Sequence, residues 1–245
     1  MTECVIMFVD FDYKPLLEDY TDDKKLSAGA ILKIMENAGS SHSDLVGDTI
    51  LDARKKGYAW VLSDWLLDVE NYPEYGAQIL AKTWSRGSVS ILSFAREFEL
   101  FCNGNRCAKA LSQWVLLDAN TGRPMKIGSE MNDMYKVESK SNYEGVKLGR
   151  IALPETFESE TRIQPRRVDI DFNEHVHNLT YLDYALEALP ESVYKTSRFK
   201  RIRISYKSAV LYGEECICKY AFADGRHLVC IYGSDGTVKT IIELS

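Results

Sequence analysis

Three polar residues with alternating spacing, Asp171, Asn173 and His175, stand directly before an apolar stripe of helical periodicity. A histidine near a carboxylate can hold or transfer a proton around neutral pH, and an amide can orient water or substrate. If the chain is extended here, the three side chains project to the same side, because a strand repeats every two residues. Asp or Asn at this place can equally cap the following helix, so both interpretations stay open.

The elements that position such residues occur twice along the chain. In the first half, residues 26–39 predict a helix with Ser27 as its N-cap and Gly39 as its stop. Its buried face is predicted to consist of Ile31, Ile34, Met35 and Ala38. Four apolar strands follow, separated by hairpin signals at Asn103-Gly104 and at residues 118–122.

The second half repeats this order. The helix after His175 ends at Pro190, and four strands follow with turns at Asp224-Gly225 and Asp235-Gly236. The apolar stripe of this helix is predicted to be Leu179, Leu182, Leu186 and Leu189. A Tyr-Gly pair also precedes a new strand in both halves. The pattern predicts an α+β fold in which each half is a long helix wrapped by a twisted antiparallel sheet.

The segment between the halves, residues 128–160, is polar and weakly periodic. Such a pattern predicts a linker that contains a short helix. We therefore expect an N-terminal domain at residues 1–127 and a C-terminal domain at residues 161–245.

Composition and charge argue against several classes of partner. The 36 acidic and 30 basic side chains leave a net charge of −6, so nucleic acid is not an expected partner. No stretch approaches the roughly 18 apolar residues that a membrane span needs. Glu3 stands where a signal peptide has positive charge, and Asp10 interrupts the apolar run. We expect a cytoplasmic protein with no membrane partner.

The cysteines lack the spacing of a metal or redox site. They are Cys4, Cys102, Cys107, Cys216, Cys218 and Cys230. None forms a C-x-x-C pair, and no base flanks any of them in sequence. Reduced thiols are therefore expected, and neither a metal nor another cofactor is predicted.

The segment at residues 166–187, RRVDIDFNEHVHNLTYLDYALE, resembles the signature of the acyl-acyl carrier protein (acyl-ACP) thioesterase family. That signature is a basic pair, then D-x-D-x-N-x-H-V-x-N, then a helix that carries tyrosine. Residues 57–84 and 112–127 are similar to the amino-terminal domain of the same family. The resemblance implies a tandem, or double, hotdog fold and hydrolysis of fatty acyl-ACP to free fatty acid and holo-carrier.

The resemblance also implies roles for the three polar residues. Asp171, Asn173 and His175 are expected to surround the attacking water, with His175 as the base or the group that orients this water. Asp171 would stabilise the required protonation state of the imidazole, and Asn173 would hold water or substrate.

The amino end of the following helix offers N–H groups and a positive dipole to a developing oxyanion. The residues expected there are Val176, His177 and Asn178. A structural role explains His177 as well, and an N-cap explains Asn178 as well.

One position departs from the family pattern. Many relatives have a carboxylate in the segment that corresponds to YKSAV, whereas this chain has Ala209 and Val210. The enzyme then relies on the polar trio or recruits another carboxylate, for which Glu187 and Glu214 are candidates. Acyl-CoA hydrolysis and non-catalytic acyl binding are the alternative functions. The first-half lead-in, YTDDKKLSAGA, lacks the Asn-x-His pattern, so one active site is expected, in the second half.

The first half is expected to hold the acyl tail, whose burial contributes about 0.8 kcal/mol per methylene. Candidate tunnel walls, each also explained as ordinary core, are Met35, Trp60, Trp65 and Trp84. The partner, acyl carrier protein, is acidic and carries the acyl chain on a phosphopantetheine arm. Basic residues of the second half that can dock it are Arg198, Lys200 and Arg201, within a wider group of Arg162, Arg166, Arg167, Lys195, Arg203 and Lys207. A monomeric pseudo-dimer or a homodimer is expected.

Overall fold

The computed structural model describes residues 8–196 and 198–245, so Cys4 and the amino-terminal residues before Phe8 lie outside the description. The chain divides into two units. The first unit comprises Met1–Ser63 with Leu67–Val146, and the second comprises Asp64–Leu66 with Lys147–Ser245. Each unit contains one leading strand, one main helix and four further strands. The predicted repeat of a helix and four strands is therefore present, with an additional strand before each helix.

The first unit is an antiparallel sheet with a long helix. Its elements are β1 (Val9–Tyr13), α1 (Ala28–Leu45), α2 (Ala53–Lys56), β2 (Tyr58–Val69), β3 (Ile79–Ser88), β4 (Ser93–Cys102), β5 (Asn105–Asp118) and α3 (Ser129–Met134). The strand order is β1-β3-β4-β5-β2. The predicted face of α1 is buried, and the Ser27 hydroxyl caps the helix by accepting from Ala30 N at 3.0 Å.

The expected stop at Gly39 is wrong, because α1 continues to Leu45. A side chain at Gly39 would approach Arg96 Cδ within 3.3 Å and Phe98 Cε1 within 3.4 Å. Glycine is therefore needed here for close contact between the helix and β4, which outweighs its cost inside a helix.

The second unit repeats the arrangement with a shorter helix. Its elements are β6 (Ser159–Ile163), α4 (Thr180–Glu187), α5 (Glu191–Thr196), β7 (Arg201–Tyr206), β8 (Cys216–Ala223), β9 (Arg226–Gly233) and β10 (Val238–Leu244). The strand order is β7-β10-β9-β8-β6. Leu179, Leu182 and Leu189 are buried as predicted, and Leu186 is half-buried. Pro190 separates α4 from α5, as the loss of a backbone donor requires.

The first part of the segment at residues 128–160 is packed against the first unit. The expected short helix is α3, and Met131 and Tyr135 join a buried cluster with Phe94 and Leu116. Contacts assign residues up to Val146 to the first unit and the rest to the second.

Residues 138–143 cover the face of β3 and β4 that is turned away from α1. The Trp84 indole donates to Lys140 O at 2.9 Å, and the Lys140 ammonium pairs with Glu99 at 2.7 Å. Glu97 accepts two bonds of 2.6 Å from the same segment. These contacts add short hydrogen bonds to buried carboxylates that also face Arg86 and Arg106 at 3.4 Å.

Within the described residues, no helix combines the length and the apolar character needed to cross a membrane. The same residues contain no group of three or more His, Cys, Asp or Glu side chains arranged as metal ligands.

Candidate active site

The polar trio lies on a tight turn between β6 and α4. Asp171 N donates to His175 O at 2.8 Å, and Glu174 N donates to Asp171 O at 3.0 Å. Glu174 has a positive φ of 65°, which reverses the chain. The expected extended lead-in is therefore wrong, and strand alternation does not bring these side chains together.

The Asp171 carboxylate holds this turn. Its Oδ1 accepts from Asn173 N at 2.8 Å and from His175 N at 3.3 Å, and its Oδ2 is 3.4 Å from Asn173 Nδ2. The structure thus brings Asp171 and Asn173 into contact and ties His175 to them through its backbone. The His175 imidazole is half-buried and makes no hydrogen bond to another described side chain.

A buried carboxylate, that of Asp169, anchors the first residue of the turn. It accepts from Arg166 N at 2.8 Å, from the Arg166 guanidinium at 2.7 Å and from the Tyr184 hydroxyl at 2.7 Å. Burial alone would raise the pKa of Asp169, but the hydrogen bonds from Arg166 and Tyr184 lower it. Sequence reasoning assigned Asp169 no role, although it is the first Asp of the D-x-D-x-N pattern.

Backbone donors at the start of α4 are partly occupied. Val176 N donates to Val210 O at 2.9 Å, and His177 N donates to Asp169 O at 2.8 Å. The Asn178 N–H has no acceptor among the described residues. The Tyr206 hydroxyl donates to Asn178 O at 2.9 Å, which holds the carbonyl of the same residue. Of the three residues expected to bind an oxyanion, Asn178 therefore offers the available backbone donor.

His177 has a local structural contact. Its Nδ1 accepts from Leu179 N at 3.4 Å, close to the point where α4 begins at Thr180. Leu179 is the N-cap residue and the helix has no side-chain cap, so the His177 contact supports the residue before the first turn of α4.

Ala209 and Val210, at the place where relatives have a carboxylate, take part through their backbone. Val210 is fully buried, accepts from Val176 N and donates its own N–H to the Tyr181 hydroxyl at 2.8 Å. Ala209 is exposed, and its carbonyl is 3.4 Å from Lys239 Nζ. These bonds secure the segment between β7 and β8 that lies beside the turn.

Of the two replacement carboxylates, Glu214 lies near the turn. Leu211, which pairs with His175 in a backbone bridge, donates its N–H to Glu214 Oε2 at 3.2 Å. Lys239 pairs with Glu214 at 2.7 Å. Burial raises the pKa of Tyr181, and the negative charges of nearby groups that include Glu214 and Asp171 raise it further.

Glu187 is placed differently. It is exposed and is the last residue of α4, about 10 Å along the helix axis from Thr180 at roughly 1.5 Å per residue. Of the two, Glu214 is the one with a described contact beside the turn.

The four tunnel candidates are buried to different degrees. Met35, Trp65 and Trp84 are fully buried, and Trp60 is half-buried with its indole donating to Asp48 at 2.8 Å. Trp84 faces the segment at residues 138–143, away from α1. A pocket of about 430 Å³ opens in the first unit between residues 71–77 and the β4–β5 hairpin, and none of the four lines it.

The expected docking cluster lies at the far end of β7. Arg198, Lys200 and Arg201 are exposed, and the N–H groups of Lys200 and Arg201 donate to Ser245 O at 2.8 and 2.9 Å. Tyr206, which contacts Asn178, is five residues further along β7, or about 17 Å at roughly 3.3 Å per residue. These three residues do not border the turn.

The described cysteines are free thiols. Burial raises the pKa of Cys107, Cys216, Cys218 and Cys230 to about 12, so these thiols stay protonated at neutral pH. This agrees with the expectation of reduced thiols, four of them in the core.

Comparison with known proteins identifies the family of the chain. The model of the acyl-ACP thioesterase N-terminal domain matches residues 10–135, and that of the C-terminal domain matches residues 154–233. An oleoyl-acyl carrier protein thioesterase of Arabidopsis thaliana is 25% identical over 203 residues, covering 76% of this chain and 56% of the relative. A dodecanoyl-[acyl-carrier-protein] hydrolase of Cinnamomum camphora is 25% identical over 76% of this chain and 52% of its own length. The chain thus spans about half the length of these curated relatives.

Solved structures establish the fold. An acyl-ACP thioesterase from Bacteroides thetaiotaomicron superposes with a TM-score of 0.86 at 21% identity, covering 97% of this chain and 96% of that one. The 12:0-ACP thioesterase from Umbellularia californica gives 0.85 at 19% identity with the same coverage. The tandem hotdog fold is confirmed, and the two family models together match well over half of the residues. The chain belongs to the acyl-ACP thioesterase family.

Proposed function

We propose that this protein hydrolyses the thioester of fatty acyl-ACP and releases free fatty acid and holo-carrier. The observation that carries the proposal is the turn at residues 169–178. There, Asp171, Asn173 and His175 adjoin a helix start at which the Asn178 N–H has no described acceptor.

In the proposed reaction, a water oxygen attacks the thioester carbonyl carbon. His175 takes the proton of this water, and the carbon–sulfur bond then breaks. The same proton passes to the pantetheine sulfur, which leaves as the thiol. The carbonyl oxygen, negatively charged in the transition state, accepts from Asn178 N–H at the positive end of α4.

The remaining polar groups position the reactants. Asp171 holds the turn and places a negative charge near the imidazolium that forms during the reaction. Asn173 presents its amide to water or substrate. Glu214, held by Lys239, accepts from Leu211 N beside the turn and is the carboxylate we propose in place of one at Ala209.

The test is single-turnover hydrolysis of acyl-ACP substrates of graded chain length, measured by thiol release. We expect His175→Ala to lower the rate by about 10²–10⁴-fold, the usual contribution of a general base. The matched control is Lys25→Ala, which changes the residue at the same place on the first unit's turn and should keep wild-type activity. Equal trace activity in wild type and His175→Ala would contradict hydrolysis and favour acyl binding alone. The same acyl chain on coenzyme A distinguishes an acyl-CoA thioesterase.

A further inference from the structure

An exposed apolar surface surrounds the catalytic turn of the second unit. It consists of the side chains of Val168, Phe172, Leu211 and Tyr212 together with one cation, Arg167. We refer to it as the Arg167 surface. Val168 is 82% exposed and Phe172 65%, while Leu211 and Tyr212 are about half exposed. Isolated exposed apolar residues are common, but a group beside a catalytic turn indicates an interaction site.

Geometry places this surface around the proposed reaction site. Val168 lies in the 3-10 turn that ends at the anchor Asp169, and Phe172 lies within the catalytic turn itself. Leu211 pairs with His175 in the backbone bridge. A partner seated on this surface would therefore stand directly over His175.

The surface carries a positive charge that is not neutralised. The Arg167 guanidinium lies 5.3 Å from the centre of the Tyr212 ring and forms no ion pair with a described residue. Its neighbour Arg166 is instead engaged with Asp169. Stacking on Tyr212 restricts Arg167 without removing its charge, so this cation is available to an anionic partner.

The first unit provides an internal comparison. Its turn has the same backbone, yet the positions of Val168, Phe172 and Leu211 are taken by three exposed carboxylates. These are Glu18, Asp22 and Glu74, and the position of Arg167 is taken by Leu17. An acidic partner is thus attracted to one turn and repelled by the other.

We infer that the Arg167 surface docks the acyl carrier protein. The carrier is acidic and its arm bears a phosphate, which matches a lone guanidinium set among apolar side chains. This inference rests on the proposed function, and it replaces the Arg198, Lys200 and Arg201 cluster as the docking site, because Arg201 lies about 17 Å along β7 from Tyr206, the residue of that strand that contacts Asn178.

The experiment measures the apparent KM for acyl-ACP at low salt. Arg167→Glu and Phe172→Asp should each raise this KM by about tenfold, and added salt should reduce the difference between Arg167→Glu and wild type. Leu17→Glu places the same charge at the matching position of the first unit and should change the KM by less than about twofold. The KM for the corresponding acyl-pantetheine should rise less than that for acyl-ACP in both second-unit variants.

Direct binding of a carrier bearing an acyl amide, which cannot be hydrolysed, separates this inference from the proposed function. Binding that is weakened by Arg167→Glu, in a protein that hydrolyses no acyl-ACP, supports docking and contradicts the function. Hydrolysis with an unchanged KM in Arg167→Glu and Phe172→Asp overturns docking alone, as does a KM that rises only when Arg198, Lys200 and Arg201 are reversed. Loss of self-association in Phe172→Asp, with unchanged carrier binding, would identify the surface as a contact between copies of this chain.

Discussion

The turns before α1 and α4 have the same backbone and different side chains. Asp169 follows Asp19 by 150 residues, and the hydrogen bond from Asp171 N to His175 O is repeated from Thr21 N to Lys25 O, both at 2.8 Å. Lys24, like Glu174, has a positive φ. Where the second unit has Asp171, Asn173 and His175, the first has Thr21, Asp23 and Lys25. The turn is therefore a structural element of the fold, and the proposed chemistry depends on the side chains it carries.

Both units have a buried anchor carboxylate, Asp19 or Asp169, but the cation that pairs with it belongs to a different part of the chain in each unit. Asp19 accepts from Leu16 N at 2.8 Å and from the Tyr13 hydroxyl at 2.9 Å, and it pairs with Lys33 of α1. Burial would raise the pKa of Asp19, but the bonds from Lys33, Leu16 and Tyr13 lower it. Asp169 is paired with Arg166, which lies three residues earlier in the chain rather than in the helix. A buried carboxylate needs a cation and several hydrogen-bond donors. The two units show that the cation can come from the following helix or from the residues before the carboxylate.

The largest expected effect comes from removing the anchors. Asp19→Ala and Asp169→Ala should each lower the free energy of unfolding by about 2–4 kcal/mol, because backbone and tyrosine donors lose their partner. Only Asp169→Ala should also reduce acyl-ACP hydrolysis. Urea denaturation and single-turnover assays measure both quantities, and an equal loss of activity in Asp19→Ala would contradict the functional difference between the turns.

The anchors also give a pH dependence. Both pKa values lie below the ordinary 3.8, so their stabilisation is present above about pH 4 and is lost as pH falls through the lowered values. The acid-induced loss of stability should be smaller in each alanine variant than in wild type.

A smaller effect tests what Asp171 contributes. Asp171→Ala removes the acceptor that holds the turn and should lower kcat by about 100-fold, whereas Asp171→Asn keeps an acceptor and should lower it by about tenfold. Thr21→Ala, at the matching position of the first unit, should have wild-type kcat. If Asp171→Asn and Asp171→Ala lowered kcat equally, the negative charge of Asp171, rather than its hydrogen bonds in the turn, would account for its role.

The smallest effect concerns a buried group of the first unit alone. His42 is fully buried and its Nδ1 lies 2.7 Å from Arg96 Nη1, and burial, aided by the Arg96 charge, lowers its pKa from 6.5 to about 3. The unfolded chain therefore binds a proton first as the pH falls, and stability declines between pH 6.5 and 3. Because of this histidine, the free energy of unfolding should be about 2 kcal/mol lower at pH 5 than at pH 7. His42→Gln should remove this part of the pH dependence of stability. Denaturation at both pH values measures it, and an identical dependence in the variant would contradict burial of a neutral imidazole.

Sequence patterns predicted the helices, the strands and their repetition because these depend on local periodicity and turn residues. Asn103 and Asp224 adopt the positive φ that their hairpins with glycine require. The helix stop at Gly39 was misplaced, because glycine serves packing against Phe98 there, and a contact between distant residues has no local signal.

By itself, the sequence determined the family, the tandem repeat and the identity of the polar residues, since these follow from residue types and their spacing. Tertiary structure decided that Asp171 closes a turn and that Asp169 anchors it. It also decided that the Val176 N–H donates to Val210 O, whereas the Asn178 N–H has no acceptor among the described residues. Finally, it decided that Arg167 stacks on Tyr212 and that Arg201 lies at the opposite end of β7 from Tyr206. The physical reason is that hydrogen bonds and charges act over a few ångströms in space, and only the folded chain brings residues separated in sequence within that range.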